Sequence, residues 1–111
     1  MTRSAMCVAL LILTAAAATA SAQETKADGE KVFAAQKCSL CHSVAGKGNV
    51  KGALDEVGSK LSNSDIGAWI TDAKGMTEKT HAARKPAMKS YTLSKADVDA
   101  LTAYLSAMKK K

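Results

Sequence analysis

The sequence predicts an all-α domain with three main helices and long loops between them. Three Ser/Thr–Asp pairs have the pattern of a helix start, in which a hydroxyl caps the first turn and an acid follows three residues later. Apolar residues at helical spacing follow each pair, and no segment alternates as a half-buried strand does. Loops as long as those between the helices usually carry function in a compact domain.

Each predicted helix begins at one of these pairs: Thr25 with Asp28, Ser62 with Asp65, and Ser94 with Asp97. The apolar residues that follow are Val32 and Phe33 in the first helix, Ile66, Trp69 and Ile70 in the second, and Val98, Leu101, Leu105 and Met108 in the third. The segment 45–58 holds four of the seven glycines and is expected to be a loop, as is the segment 74–92.

The first 22 residues have the pattern of a cleaved signal peptide. Arg3 precedes an apolar stretch over residues 5–18, and the small residues 20–22 stand where a peptidase would cut before Gln23. The stretch is rich in Ala and shorter than the roughly 20 residues that a membrane span needs. We therefore expect an exported chain whose mature domain covers residues 23–111, without a membrane span.

The mature domain is basic and has few large side chains for a core. The full chain carries a net charge of +6 and stays basic without Arg3, yet its lysines are mostly scattered. Together with export, this pattern argues against nucleic acid and favours an acidic protein partner. Cys7 is lost with the leader, and a disulfide between Cys38 and Cys41 would close only a tiny loop. A covalently held macrocycle would stabilise so small a domain better.

Cys38, Cys41 and His42 form the CxxCH pattern that is typical of haem attachment. In a helical turn, residues at i, i+3 and i+4 share a face, so two thiols can bond the vinyl groups of one haem while the imidazole binds its iron. The pattern also fits a dithiol redox pair or half of a zinc site. A thioredoxin-like redox pair would need a βαβ pattern, however, and the sequence shows none. A zinc site would need further Cys or His ligands, and only His81 remains in the mature region.

Over nearly all of the mature region, the chain resembles the small bacterial class I cytochromes c, the monohaem cytochrome c family. Gly29 and Phe33 precede the motif as a Gly and an aromatic do in that family, and Leu101 with Tyr104 matches the pair on its terminal helix. Phe33 lies five residues before Cys38, one more than the commonest spacing. The resemblance implies the cytochrome c fold, with loops wrapped around one covalent haem c and its iron.

The resemblance also implies how the haem is held on each side. Gly52-Ala53-Leu54 stands where the family has a Gly-Pro turn, so the carbonyl of Ala53 is expected to accept a hydrogen bond from His42. Pro86 stands two residues before Met88, as in the family's distal loop, so Met88 is expected to be the sixth ligand. The alternatives are a core role for Met88, as for Met76 and Met108, or ligation by His81.

Two further groups of residues are expected near the haem. Trp69 would pack against the macrocycle or donate its indole N–H to a propionate. The family resemblance places five lysines near the exposed haem edge, where they would form a ring for docking: Lys37, Lys47, Lys51, Lys85 and Lys89. They would attract an acidic redox partner, or they would be no more than solvated charges.

These patterns favour a monomeric electron carrier of the bacterial periplasm that is not an enzyme. The chain offers one redox group and little room for a substrate pocket. Two alternatives remain open: a cytochrome subunit of a larger dehydrogenase or oxidase, and a haem enzyme or gas sensor with an open sixth position. Arg84 is the only arginine left after cleavage, so no arginine-rich distal set favours the latter.

Overall fold

The computed structural model describes the backbone of residues 17–111 and the surroundings of the side chains from residue 26 on. Its α-helices are α1 (Ala17–Ala35), α2 (Val57–Lys60), α3 (Asn63–Thr71), α4 (Ala73–Thr80) and α5 (Lys95–Ser106). Strands β1 (Ser43–Val44) and β2 (Lys47–Gly48) pair antiparallel, and 3-10 turns cover Cys38–Leu40 and Val50–Gly52. The prediction of an all-α fold is confirmed.

Most of the predicted leader, residues 1–16, lies outside the described residues. Helix α1 already runs from Ala17, so Thr25 lies within the helix and the predicted start there is wrong. Alanine has the highest helix propensity, and the four alanines between residues 17 and 22 extend the helix backwards. None of the described helices is both long enough and apolar enough to pass through a lipid bilayer.

The core is built where α1 packs on α5. Gly29 is buried in this contact, and a Cβ atom on it would overlap the Ala100 carbonyl and the Cβ atom of Tyr104. One turn further along α1, the Phe33 and Tyr104 rings meet edge to face, with centroids 5.9 Å apart and an interplanar angle of 63°. Both rings are buried, together with Leu101 beside them. The residues of the family resemblance thus meet as expected.

Two of the predicted helix starts are confirmed by their capping bonds. The backbone N–H of Asp65 donates to Ser62 Oγ at the start of α3, at 3.1 Å. The backbone N–H of Asp97 donates to Ser94 Oγ at the start of α5, also at 3.1 Å. Each bond satisfies one of the free N–H groups that a helix leaves at its N-terminus, so the hydroxyl fixes where the helix begins.

The two predicted loops contain more regular structure than expected. The predicted second loop, 74–92, includes all but the first residue of α4, whose start is capped by Asp72 Oδ1 accepting from the Gly75 N–H at 3.1 Å. The predicted first loop, 45–58, includes β2 and its turn from β1, and each of these strands has two residues, too few for an alternating pattern to show. Their tight turn passes through Ala45 and Gly46 at positive φ, and Asp55 holds it by accepting the Ala45 N–H at 2.7 Å.

The C-terminal segment is tied back to α2. The Gly58 N–H donates to the Met108 carbonyl at 2.8 Å, and Lys109 Nζ donates to the Gly58 carbonyl at 2.6 Å. The Lys110 N–H donates to Ser59 Oγ at 2.7 Å. A Cβ atom on Gly58 would overlap the Ser106 carbonyl, so glycine allows the close approach. Lys109 therefore has a structural partner and is not a freely solvated charge.

Candidate functional site

A cavity of about 530 Å³ lies between the helices and the two loops. Most of its wall is apolar and comes from α2–α3, α5 and the segments beside them: Leu54, Leu61, Ile66, Ile70, Leu101 and Leu105. A cavity of this size, lined by apolar side chains with a few polar groups, is typical of a cofactor site. Most of the polar groups come from two segments, the CxxCH motif with the residues just before it and the loop before α5.

The CxxCH motif forms a helical turn at the mouth of the cavity. Cys38 begins the 3-10 turn, and its carbonyl accepts the N–H groups of Cys41 at 3.2 Å and His42 at 2.9 Å. These bonds fix the motif's backbone as one turn, so the three side chains emerge near one another. Cys38, Cys41 and His42 all line the cavity, and both thiols are free. The structure thus brings together the three residues that the motif predicts.

His42 is oriented by the carbonyl of Gly52, which accepts from Nδ1 at 2.9 Å. A carbonyl only accepts, so Nδ1 carries the proton and Nε2 keeps its lone pair for a metal. The prediction that Ala53 supplies the acceptor is wrong by one residue. Gly52 ends the 3-10 turn beside the ring, and a Cβ atom there would lie 2.9 Å from Nδ1. Ala53 instead bridges to Ser43 in an extended conformation.

Burial shifts the acid–base behaviour of two motif residues. Desolvation lowers the pKa of His42, against the opposing effect of the Gly52 hydrogen bond, and the nearby Arg84 charge lowers it further. The imidazole is therefore held neutral, which is the form that binds a metal. Burial also raises the pKa of the Cys38 thiol. That thiol stays protonated at neutral pH.

Met88 lies on the loop between α4 and α5 and lines the same cavity as the motif. It is half-buried, whereas its neighbours Ala87 and Lys89 are exposed. The loop is fixed near Met88 by the Tyr91 N–H, which donates to the Ile70 carbonyl on α3 at 2.8 Å. The structure therefore brings the predicted sixth ligand to the cavity that holds the predicted fifth.

The alternative ligands lie elsewhere. Met76 is 8% exposed and packed within α4, and Met108 packs against the core near the C-terminus. His81 caps the C-terminus of α4 in a left-handed conformation, with an exposed side chain. None of these three is among the residues that line the cavity.

Trp69 also lies where the sequence predicted, half-buried in the cavity wall. Tyr91 also lines the cavity, and Lys89 Nζ lies over the Tyr91 ring, 5.0 Å from its centroid. This cation–π contact places a lysine at the rim of the cavity. Lys37 lines the cavity as well, so two of the five predicted docking lysines border it directly.

One residue of the site was not predicted from the sequence. Arg84 reaches from the loop that carries Met88 to the CxxCH turn, where its Nη2 donates to the Cys41 carbonyl at 2.7 Å. Its guanidinium also lies against Gly52, since a Cβ atom on Gly52 would overlap Nη1. Arg84 and Cys41 are far apart in the sequence, and no local sequence pattern predicts such a contact.

The residues of the cavity fit a haem. Its apolar wall suits the porphyrin, and two thiols one helical turn apart suit its two vinyl groups. A neutral imidazole with a free Nε2 and a thioether are a known axial pair for haem iron. In the part of the chain that the structure describes, no three His, Cys, Asp or Glu side chains are grouped to hold a metal ion directly.

Comparison with protein families gives the same result as the geometry. The family model described as Cytochrome c matches residues 26–109, which include both loops, the CxxCH turn and the terminal helix. Neither a curated protein nor a solved structure matches the chain. Because the match extends over most of the sequence, the chain belongs to the cytochrome c family, whose members bind haem c covalently and transfer electrons through its iron.

Proposed function

We propose that this protein is a periplasmic carrier of single electrons, with one haem attached through Cys38 and Cys41 and ligated by His42 and Met88. The observation that carries the proposal is the shared cavity: the CxxCH residues and Met88, from separate loops, line one apolar chamber. When bound, the haem supplies an iron that is reduced by one electron and oxidised again without any bond to a substrate.

The protein's own residues set the conditions for that exchange. The Gly52 carbonyl fixes the ring and tautomer of His42, so a ligand bond is made without reorientation. The thioether of Met88 is a soft donor that favours reduced iron and therefore a higher potential than a second imidazole would give. The apolar wall around both ligands excludes water, which also favours the less charged, reduced state.

The exported location rests on the predicted leader of residues 1–22. Bacterial cytochrome c domains are often exported, and the proposed leader would take this chain out of the cytoplasm. Cleavage before Gln23 would leave the mature domain of residues 23–111. The Cytochrome c match begins at residue 26, so the proposed cut removes nothing from the matched region.

The partner is proposed to be a redox protein with an acidic surface, which docks where the CxxCH turn meets the hairpin. Two large apolar side chains are exposed there, Leu40 at 71% and Val50 at 67%. Asn49 joins their segments, since its Nδ2 donates to the Leu40 carbonyl at 3.3 Å. All five lysines of the predicted docking ring are exposed. Exposed apolar side chains with lysines close to them in the sequence would suit a partner with an apolar contact and an acidic rim.

The experiment that tests the function combines mass and redox measurements on protein exported from a bacterial host. The denatured chain should keep its haem, with a mass equal to residues 23–111 plus one haem. The native protein should titrate as a one-electron couple, and its oxidised form should show the weak red charge-transfer band of sulfur–iron coordination. A chain free of haem after denaturation would contradict covalent attachment and, with it, the proposed function.

Matched variants connect this result to the residues. Cys38→Ala and Cys41→Ala should each lower the yield of holoprotein, because each removes one covalent bond to the haem. Ser39→Ala is the control, since Ser39 is exposed between the two cysteines and belongs to neither bond. A loss of yield in the control equal to that in the cysteine variants would contradict the assignment.

A further inference from the structure

The loop that carries Met88 is fastened to the rest of the chain at its two ends. After Met88, the Tyr91 N–H donates to the Ile70 carbonyl at 2.8 Å, and Ser90 Oγ accepts the Lys74 N–H at 3.5 Å. Before Met88, residues 82–87 are all exposed. Among the described hydrogen bonds of these exposed residues, the one from Arg84 reaches beyond the neighbouring helix α4.

The Arg84 hydrogen bond is short and well placed. Its Nη2 donates to the Cys41 carbonyl at 2.7 Å, the length of a charge-assisted bond. That carbonyl belongs to the peptide group that joins Cys41 to His42. A force on the Cys41 carbonyl therefore acts directly on the backbone of the proposed iron ligand, while the opposite end of the residue, its ring, is held by the Gly52 carbonyl.

Gly52 completes a cluster of four residues. A Cβ atom on Gly52 would overlap both the Arg84 guanidinium and the Cys41 carbonyl, and would lie 2.9 Å from His42 Nδ1. The guanidinium thus fills the space in front of the turn that orients His42. Because a planar guanidinium has several N–H donors in fixed directions, arginine suits this position better than lysine.

From this cluster, we propose that Arg84 is a positioning residue that fastens the Met88 loop to the CxxCH turn, holding the two sides of the haem site together. The inference rests on the proposed ligands His42 and Met88. Without the Arg84 bond, the hydrogen bonds of the described residues tie the loop to elements beyond α4 only on the C-terminal side of Met88, so the loop opens more often. The iron is then reached more often by small ligands from solution.

The test measures how fast imidazole replaces Met88 in the oxidised holoprotein, followed by loss of the sulfur–iron charge-transfer band. We expect Arg84→Gln to accelerate this replacement about five- to tenfold, the effect of losing one charge-assisted hydrogen bond at an exposed site. Arg84→Lys keeps a charged donor but not the planar geometry, so its rate should lie between those of the wild type and Arg84→Gln.

Lys85→Gln is the matched control. Lys85 lies in the same exposed stretch, and its substitution removes the same charge, so any effect of net charge alone appears in both variants. Its proposed role in docking does not affect this assay, because no redox partner is present. We expect its rate to stay within about twofold of the wild type, as for an exposed charge without a fixed partner. The potential should also fall further in Arg84→Gln than in Lys85→Gln, because the Arg84 charge acts next to His42.

The outcomes separate this inference from the proposed function. Equal imidazole rates and equal potentials in the Arg84→Gln and Lys85→Gln proteins would overturn the role of Arg84, even with the ligands as proposed. Absence of the charge-transfer band from the wild type would instead contradict ligation by Met88. A faster replacement in Arg84→Gln that Arg84→Lys partly reverses would establish Arg84 as the fastening residue.

Discussion

Gly29 and Tyr104 are in direct contact where α1 crosses α5, with no space between them for even a methyl group. Gly67, on α3, differs: a Cβ atom there would lie 3.8 Å from Thr102 Oγ1, an ordinary van der Waals distance. The absence of a side chain is therefore required by packing at Gly29 but not at Gly67. The first lets two helices approach closely, and the second occupies a position with room for a side chain.

We expect Gly29→Ala to lower the free energy of unfolding by about 1–3 kcal/mol, because the added methyl group forces the two helices apart. Gly67→Ala should raise it by about 0.5–1 kcal/mol, since alanine loses less backbone entropy in a helix. Guanidinium unfolding of the two holoproteins measures both values. Equal destabilisation by both substitutions would show that the close crossing at Gly29 is unimportant.

Met88→Ala should remove the sulfur–iron charge-transfer band and lower the potential, because a thioether stabilises reduced iron. Met76→Leu should keep both, since Met76 is buried within α4 away from the cavity. His81→Gln should keep both as well, because His81 is exposed at the end of α4. If the band survives in Met88→Ala, or is lost in either control, the assignment of Met88 as the sixth ligand is wrong.

Trp69 is the only tryptophan of the chain and lines the cavity, so its fluorescence reports on the haem. We expect weak emission from the folded holoprotein, because haem accepts excitation energy efficiently at short distance. Unfolding in guanidinium should raise the emission several-fold. The Cys38→Ala/Cys41→Ala protein, which cannot bind haem covalently, is the control and should emit strongly throughout. Bright emission from the folded holoprotein would place the haem away from Trp69.

The proposed docking ring predicts a position-dependent effect of charge on electron transfer. Lys51→Glu should slow transfer to an acidic redox partner at low salt, because Lys51 lies beside Gly52 in the 3-10 turn next to the proposed haem site. Lys110→Glu changes the net charge equally but lies by α2, so it should matter less. Stopped-flow rates over a range of ionic strength measure both effects.

Salt should weaken both effects, since charges in solution are screened over about 8 Å at physiological ionic strength. The potential of the two variants should stay close to that of the wild type. If Lys51→Glu and Lys110→Glu slow transfer equally, net charge alone steers the encounter. A rate that does not depend on salt would remove electrostatic docking from the proposal.

The sequence predicted those parts of the fold that depend on local chemistry. Ser62 and Ser94 start their helices as expected, because a capping hydroxyl needs only the backbone N–H three residues later. The CxxCH turn was predictable for the same reason, since its geometry depends on five consecutive residues. Helix α4 was missed because Lys74, Gly75 and Thr77 weaken its apolar pattern, although the Asp72 cap was a usable signal.

What the sequence could not predict depends on distant contacts. The acceptor of the His42 ring is the carbonyl of Gly52 and not of Ala53, a difference of one residue that the path of the 3-10 turn determines. The reach of Arg84 to Cys41 depends on how two loops fold over the same cavity. Neither contact produces a periodic pattern in the sequence, so both can be identified only from the folded structure.

The closure of the cavity by α5 has a consequence for the order of maturation. The thiols and the imidazole come from the first half of the chain, whereas Leu101 and Leu105, which line the same cavity, come from its last helix. The tie between Gly58 and Met108 also needs the final residues. In the proposed export, a chain that is still emerging from a translocation channel would therefore expose its two thiols before α5 closes the cavity, so that attachment of the haem could come before closure.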